Sequence, residues 1–150
     1  MVTIKEVEPR LLAAVRRQVP VGEVGRAFGP PLNQVWTFLR ANPGLRDHGH
    51  NVFLYHHAAR RGDPMDVDFG VEVTRAFEPD GEVRCVSTPG GRAAIVVHRG
   101  PYDRMGEAHD ALHAHCAAHG LAIGGASWEI YGDHNDDPSK LETTIVYLLA

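Results

Sequence analysis

The order of predicted elements constrains the fold of this chain most, because the series strand, helix, strand, strand occurs twice. The two repeats cover residues 1–88 and 89–150, and a shift of 76 residues aligns Tyr55 with Tyr131. A single unit of this kind leaves apolar surface uncovered, so we expect the two units to pair about a pseudo-twofold axis. The sequence therefore predicts one α+β domain of all 150 residues, with an antiparallel sheet and a central ligand cleft at the seam. The alternative is a chance likeness of two α+β stretches, because few residues are identical across the shift.

Regular alternation within residues 66–75 predicts a strand with one buried face. Val67 and Phe69 are expected to point inward, whereas Asp66 and Asp68 are expected to point outward. This pattern is typical of an antiparallel sheet that is covered on one side and solvated on the other.

The stretch Ser127–Asp133, read SWEIYGD, contains the first candidate functional residue. As a strand it places Glu129 and Tyr131 on one face and Trp128 on the other. The 76-residue shift aligns Glu129 with Phe53. A carboxylate buried without a partner costs several kcal/mol, so Glu129 should either reach water at an edge strand or face a cavity. In a cavity, we expect burial to raise the pKa of its carboxyl group.

Charge and hydropathy exclude several classes of protein. A net charge of −4 and a pI of about 6.2 provide no basic surface to neutralise phosphates, so direct nucleic acid binding is not expected. No window approaches the roughly 18 to 20 apolar residues of a membrane span, and no signal peptide is recognisable. We therefore predict a cytoplasmic protein that binds no membrane and keeps Cys85 and Cys116 as free thiols.

The ten histidines raise the question of a metal site. His109 with His113, and His115 with His119, have the i, i+4 spacing that can hold zinc on a helix. No acidic third ligand is placed and no HExxH motif occurs, so these histidines are interpreted as surface or half-buried helix residues, and no metal site is predicted. The motifs GxSxG, GxGxxG and GxxxxGK[ST] are also missing, and no cofactor is predicted.

Two segments carry a resemblance to a known family. The C-terminal sequence WEIYGDHNDDPSKLETTIVYLL resembles the closing motif of GyrI-like domains, the effector-binding domains of AraC-type and MerR-type multidrug regulators. The segment HRGPYDRMGEAHDALHAH is similar to the turn and second helix of that family, and the duplicated layout agrees as well. The resemblance covers essentially the whole chain. It implies an α+β fold of two related halves with a small-molecule pocket between them.

The resemblance also implies which residues form the pocket. In multidrug-binding members a buried Glu accompanied by aromatic rings receives flat, hydrophobic, often cationic ligands, and the matching residue here is Glu129. Five aromatic residues are expected to surround it: Tyr131, Tyr55, Trp36, Phe53 and Tyr102.

Three functions are consistent with such a pocket. Because the chain starts at its first predicted strand and stops at its last, we expect a stand-alone member that sequesters or detoxifies a hydrophobic or cationic aromatic molecule. Some stand-alone members resemble hydrolases that open cyclopropane rings of DNA-alkylating natural products. In that alternative Glu129 acts as general base and Tyr55 as hydrogen-bond donor. A second alternative is a protein-partner module like the family's gyrase-inhibiting namesake. The sequence predicts neither the ligand's identity nor the oligomeric state.

Overall fold

The computed structural model describes residues 1–150. The strands and helices, in chain order, are β1 (Thr3–Val7), β2 (Leu11–Val19), α1 (Val24–Ala27), α2 (Gly29–Ala41), β3 (Asn51–His56), β4 (Met65–Glu72), β5 (Arg84–Ser87), β6 (Gly91–Arg99), α3 (Met105–Ala118), β7 (Ile123–Tyr131) and β8 (Glu142–Leu149). One-turn 3₁₀ helices at Tyr102–Arg104 and Pro138–Lys140 complete the secondary structure. All eight strands form one antiparallel sheet with the order β1-β6-β8-β7-β3-β4-β2-β5. The predicted α+β class with an antiparallel sheet is confirmed.

The predicted internal symmetry is visible in the strand register. Asn51 lies opposite Val71 in the β3–β4 pair, and the residues 76 positions later, Ser127 and Tyr147, lie opposite each other in the β7–β8 pair. β3 and β7 are themselves neighbours at the centre of the sheet. The pseudo-twofold axis therefore passes between these two strands, where the two halves meet.

The two edge strands pair in equivalent ways. β1, which comes before β2 in the chain, pairs with β6, and β5, which comes before β6, pairs with β2. β5 therefore occupies the same place beside one half of the sheet that β1 occupies beside the other, although β5 lies before residue 88. The connections that cross between the halves contact each other: Arg10 N–H donates to Thr88 Oγ1, and Thr88 N–H donates to the Arg10 carbonyl, both at 2.9 Å. A Cβ on Gly90 would lie 2.9 Å from Pro9 Cδ, so only glycine fits at this crossing without displacement.

Apolar side chains cover both faces of the sheet. On one face, α2 packs on β2, β3 and β4, and α3 packs on β6 and β8. On the opposite face, residues of β2, β3, β7, β8 and β6 form one buried cluster that contains no helix residue. Only residues 8–10 join β1 to β2, although five strands lie between them in the sheet. The sheet must therefore curl strongly, and its concave face forms a third core with Trp128 near the middle.

This curvature overturns the expected orientation of Asp68 toward solvent. Asp68 alternates with Val67 and Phe69 as expected, but its face of β4 lies inside the curl and its residue exposure is 1%. Arg16 on β2 pairs with the carboxylate through two hydrogen bonds of 2.9 and 3.0 Å, and His56 on β3 contacts it at 2.7 Å. The buried charge is tolerated because these partners satisfy it.

Local sequence explains why the first helix is divided. Gly29 and Pro30 begin α2, and Phe28 serves both as the last cap of α1 and as the first cap of α2. Proline fits the first turn of a helix but cannot continue a preceding one, because it lacks an N–H and clashes with the previous turn. The break ends α1 at Ala27, and Phe28 at the junction is 39% exposed.

None of the helices combines the length and apolar character that a membrane span requires. Both cysteines are free thiols. Cys116 is a buried residue of α3, and Cys85 is half-buried on β5.

Candidate ligand-binding site

A cavity of about 600 Å³ lies above the centre of the sheet, between the two helical layers. Its floor is formed by residues of β3 and β7, namely Asn51, Phe53, Tyr55, Glu129 and Tyr131. One wall comes from α1 and its surroundings, with Gly22, Val24, Gly25, Phe28 and Leu32. The opposite wall comes from the start of α3, with Tyr102, Met105, Gly106 and His109. The cavity therefore lies at the seam between the two halves.

Glu129 provides the carboxylate of this cavity. It lies on β7 next to the pseudo-twofold axis and is only 6% exposed. Tyr55 and Tyr131 donate their hydroxyl groups to Oε1 at 2.5 and 2.6 Å, and His109 Nε2 contacts Oε2 at 2.8 Å. Each carboxylate oxygen thus has at least one hydrogen-bonding partner, which is the condition for keeping a charge out of water.

His109 also contacts the neighbouring strand. Its Nδ1 lies 2.7 Å from the hydroxyl of Tyr147 on β8, and the same hydroxyl lies 3.2 Å from Nε2 of His113, one turn along α3. His113 is exposed at the helix surface. A continuous series of hydrogen bonds therefore runs from Glu129 through His109 and Tyr147 to a histidine that contacts solvent.

The electrostatics keep Glu129 ionised. Burial raises the pKa of its carboxyl group, but hydrogen bonds from His109, Tyr131 and Tyr55 together outweigh burial and hold the pKa below its ordinary value. Burial therefore acts on this pKa as expected, but the expected net rise is wrong because it did not include the three donors. Burial and the negative charge of Glu129 raise the pKa of Tyr55, and burial with the neighbouring Tyr55 and Glu129 raises that of Tyr131. Both phenols consequently remain protonated donors.

Aromatic rings line the route from the carboxylate to the mouth of the cavity. Phe53 packs edge-on against Tyr131 with ring centres 4.8 Å apart, and Tyr102 packs edge-on against Tyr131 at 5.6 Å. The ring centre of Phe28 lies 5.7 Å from that of Phe53, on the α1 side of the cavity. Tyr102 is 47% exposed and borders the opening. The site thus combines one buried anion with several accessible ring faces.

The structure brings together five of the six residues that the sequence analysis assigned to the site: Glu129, Tyr131, Tyr55, Phe53 and Tyr102. Trp36 does not line the cavity. Its indole N–H donates to Asn51 Oδ1 at 3.0 Å, and the guanidinium of Arg46 lies 4.8 Å from its ring centre. These contacts hold Trp36 behind Asn51, so the amide, and not the indole, borders the cavity.

The sequence analysis missed two lining residues that contribute to the chemistry of the site. His109 was considered only as half of a zinc pair with His113, although the same i, i+4 spacing places both histidines on the helix face above Tyr147. Phe28 was not singled out by any motif. The adjacent Gly29-Pro30 break was the signal that it sits at a helix end, where a side chain is freer to face an opening.

Comparison with known proteins agrees with this geometry. The sequence model of the GyrI-like small molecule binding domain matches residues 1–149. No curated protein matches the chain significantly. Among solved structures, the EcmrR C-terminal domain is 25% identical with a TM-score of 0.82, and the alignment covers 100% of this chain and 97% of that domain. The chain spans 57% of EcmrR as seen in its complex with DNA.

Two more distant structures share the fold alone. SAV2435 bound to tetraphenylphosphonium is 9% identical with a TM-score of 0.66, over 100% of this chain and 94% of SAV2435. A hydrolase from Listeria innocua is 13% identical with a TM-score of 0.62, over 99% of this chain and 91% of the hydrolase.

Proposed function

Since this chain belongs to the family of GyrI-like small-molecule-binding domains, we propose that its central cavity binds a hydrophobic aromatic cation and holds it by the charge of Glu129. The observation that carries the proposal is a buried, ionised carboxylate at the floor of a cavity whose other lining groups are mostly apolar or aromatic. Binding of this kind would sequester the ligand and lower its free concentration.

Two attractions act on a cationic aromatic ligand in this cavity. In a site with little water, the charge of Glu129 attracts a cation more strongly than it would in bulk solvent. The negative ring faces of Phe53, Tyr131 and Tyr102 add about 0.5 to 2 kcal/mol for each ring that the cation contacts. A neutral ligand of the same shape gains apolar burial but neither of these terms.

The size and chemistry of the cavity favour a bulky cation with a delocalised or shielded charge. A volume of about 600 Å³ suits a molecule with several aromatic rings. A compact, strongly hydrated ion such as an alkylammonium would lose its water and find few free acceptors, because Glu129 Oε1 already accepts from two phenols and Oε2 from His109. Tetraphenylphosphonium, which SAV2435 binds, has the required character.

Calorimetric titration with tetraphenylphosphonium tests this function. We expect binding by the unmodified protein and a loss of affinity of about tenfold or more in Glu129→Gln, which keeps the shape but removes the charge. Glu142→Gln is the matched control, because Glu142 lies on neighbouring β8 but is exposed and pairs with Arg99 outside the cavity. Equal affinity in Glu129→Gln and the control would refute the role of Glu129.

A hydrolytic function is the second candidate, because the cavity places a carboxylate, an imidazole and two phenols within contact of one another. Such groups can orient water and donate to an oxygen on which charge develops. In this version Glu129 activates water for addition to a strained ring, and Tyr55 donates to the substrate. Tyr55 would first have to leave Glu129 Oε1, which it contacts at 2.5 Å in the free site.

Multiple turnovers distinguish hydrolysis from binding. The protein is incubated with an excess of a cyclopropane-bearing DNA alkylator, and the ring-opened, hydrated product is counted by mass spectrometry. More than one product molecule per protein, lost in Glu129→Gln, supports hydrolysis. Recovery of unchanged compound supports sequestration alone.

A further inference from the structure

The hydrogen bonds of His109 can be assigned in two ways, and the difference between them is one proton. In the neutral form that fits both contacts, His109 Nε2–H donates to Glu129 Oε2, and Nδ1 accepts from the hydroxyl of Tyr147. That hydroxyl then accepts from Nε2–H of His113. In the protonated form, His109 donates from both nitrogens, and the Tyr147 hydroxyl reverses to donate toward His113. No heavy atom needs to move between the two states.

The two states differ in the charge that a ligand meets. With neutral His109 the Glu129 cluster carries one negative charge, and with protonated His109 it carries none. Only His109 among the lining residues adds a titratable nitrogen to this cluster, and it contacts the carboxylate at 2.8 Å. A proton on His109 and a cation in the cavity therefore compete for the charge of the same carboxylate.

We propose that His109 determines the charge of the ligand that this site accepts, because its proton and a cationic ligand compete for Glu129. This inference rests on the proposed binding function. Capture of a cation then displaces a proton from His109, and the hydrogen bonds through Tyr147 to the exposed His113 provide its route to solvent. When His109 is protonated, the same cavity favours neutral aromatic molecules over cations.

The other ionisable groups near His109 do not provide this exchange. On the sheet, Tyr55 and Tyr131 contact the same carboxylate as His109, and burial keeps both phenols protonated. Burial, followed by the charges of Glu129 and Asp110, raises the pKa of Tyr147 to about 12, so Tyr147 relays a proton without losing its own. Glu129 itself stays ionised in mildly acidic solution, because its donors hold its pKa below the ordinary value.

Three more groups complete the surroundings of His109. Tyr102 and His113 belong to the segment that carries His109, and His57 of the segment after β3 lies 5.9 Å from the ring centre of Tyr147. Burial lowers the pKa of His57, which favours its neutral form. The wall formed by α1 and the start of α2 contributes no titratable residue to the lining.

Proton release on binding is the direct test. Tetraphenylphosphonium is titrated into the protein by calorimetry in buffers of different ionisation enthalpy, at several values between pH 5 and 8, where histidine side chains change charge. We expect proton release on binding and affinity about tenfold weaker at pH 5 than at pH 8. The neutral dye Nile red should bind with no loss of affinity at pH 5. Cation binding without proton release and without pH dependence would overturn the inference while leaving the proposed function intact.

The matched variants separate this role from a structural one. His109→Gln keeps an N–H donor near the Nε2 position but cannot take up a proton, so the ratio of its tetraphenylphosphonium affinities at pH 5 and pH 8 should be close to one, whatever its absolute affinity. His119→Gln, on an exposed position of the same helical segment, should keep the pH dependence of the unmodified protein. A His109→Gln protein that binds the cation and retains the full pH dependence would also overturn the inference. No binding of tetraphenylphosphonium by any variant at any pH would instead refute the proposed function.

Discussion

Phe53 and Glu129 lie directly opposite each other in the β3–β7 pair, on the axis that relates the two halves. The two residues are 76 positions apart and therefore occupy equivalent positions in the two repeats. The one acidic group of the site thus stands where the other repeat has an aromatic ring. Tyr55 and Tyr131 are related in the same way, and both donate to Glu129 Oε1. The symmetry of the fold thus supplies two equivalent donors, and a single substitution between the repeats supplies their common acceptor.

The hydroxyl groups of Tyr55 and Tyr131 should contribute more to the free energy of unfolding than an ordinary tyrosine hydroxyl. Tyr55→Phe and Tyr131→Phe each remove a hydrogen bond to a buried carboxylate and should lower the free energy of unfolding by about 1.5 to 3 kcal/mol. Tyr102→Phe is the control, because Tyr102 lines the same cavity but is 47% exposed. Its free energy of unfolding should change by less than about 0.5 kcal/mol. Urea denaturation of the three variants measures the difference, and equal values would contradict the assignment.

Acid should destabilise the protein through Glu129 and Asp68. Burial raises the pKa of each carboxyl group, but hydrogen bonds, from His109 and two phenols in one case and from Arg16 and His56 in the other, hold both below their ordinary values. A carboxyl group with a depressed pKa in the folded state stabilises the protein above its unfolded pKa of about 4, and this contribution is lost as the pH falls through the folded pKa.

Melting temperatures measured between about pH 7 and 2 test this sign. The decline on acidification should be shallower in Glu129→Gln and in Asp68→Asn than in the unmodified protein, although both variants start from lower stability at pH 7. Asp136→Asn, on the exposed loop before β8, should follow the curve of the unmodified protein. An identical acid decline in all four proteins would mean that neither carboxyl group contributes.

The buried pair of Arg16 and Asp68 should respond unequally to loss of either partner. The Arg16 side chain is 40% exposed and can turn to water, whereas the Asp68 side chain is 1% exposed and cannot. Arg16→Met leaves a buried carboxylate with only His56 and should cost about 3 kcal/mol, while Asp68→Asn should cost about 1 kcal/mol because the remaining arginine is solvated. The double variant should be more stable than additivity predicts. A larger loss for Asp68→Asn than for Arg16→Met would contradict this explanation.

The sequence was informative where a periodic pattern determines the result. Alternation was enough to place Glu129 and Tyr131 on one face of β7, and the repeat was enough to relate Tyr55 to Tyr131 about a pseudo-twofold axis, but neither pattern indicated that β3 pairs with β7. The pattern could not reveal which faces the sheet covers by curling, and Asp68 was therefore expected in solvent. Spacing along the chain also could not show that Trp36 lies behind the cavity and Asn51 on its floor. It could not show that His109 on α3 contacts Glu129 on β7 either. Those contacts depend on how helices sit on a curved sheet, which no local pattern encodes.

Gly70 lies where the curvature of the sheet leaves no space for a side chain. A Cβ at this position of β4 would lie 2.9 Å from the Ala13 carbonyl oxygen and 3.1 Å from Ala14 Cβ, on the neighbouring strand inside the concave face. The backbone oxygen cannot move away without breaking the β2–β4 pairing, so Gly70→Ala should lower the free energy of unfolding by about 1 to 3 kcal/mol. Gly125→Ala is the control, because Gly125 also lies in a strand but has open space around the added methyl group. That change should be neutral or slightly stabilising, since alanine restricts the unfolded chain. Denaturant midpoints for the two variants decide the matter: if Gly70→Ala is as stable as Gly125→Ala, the sheet can flatten at β2 and the tight curvature is not required for the fold.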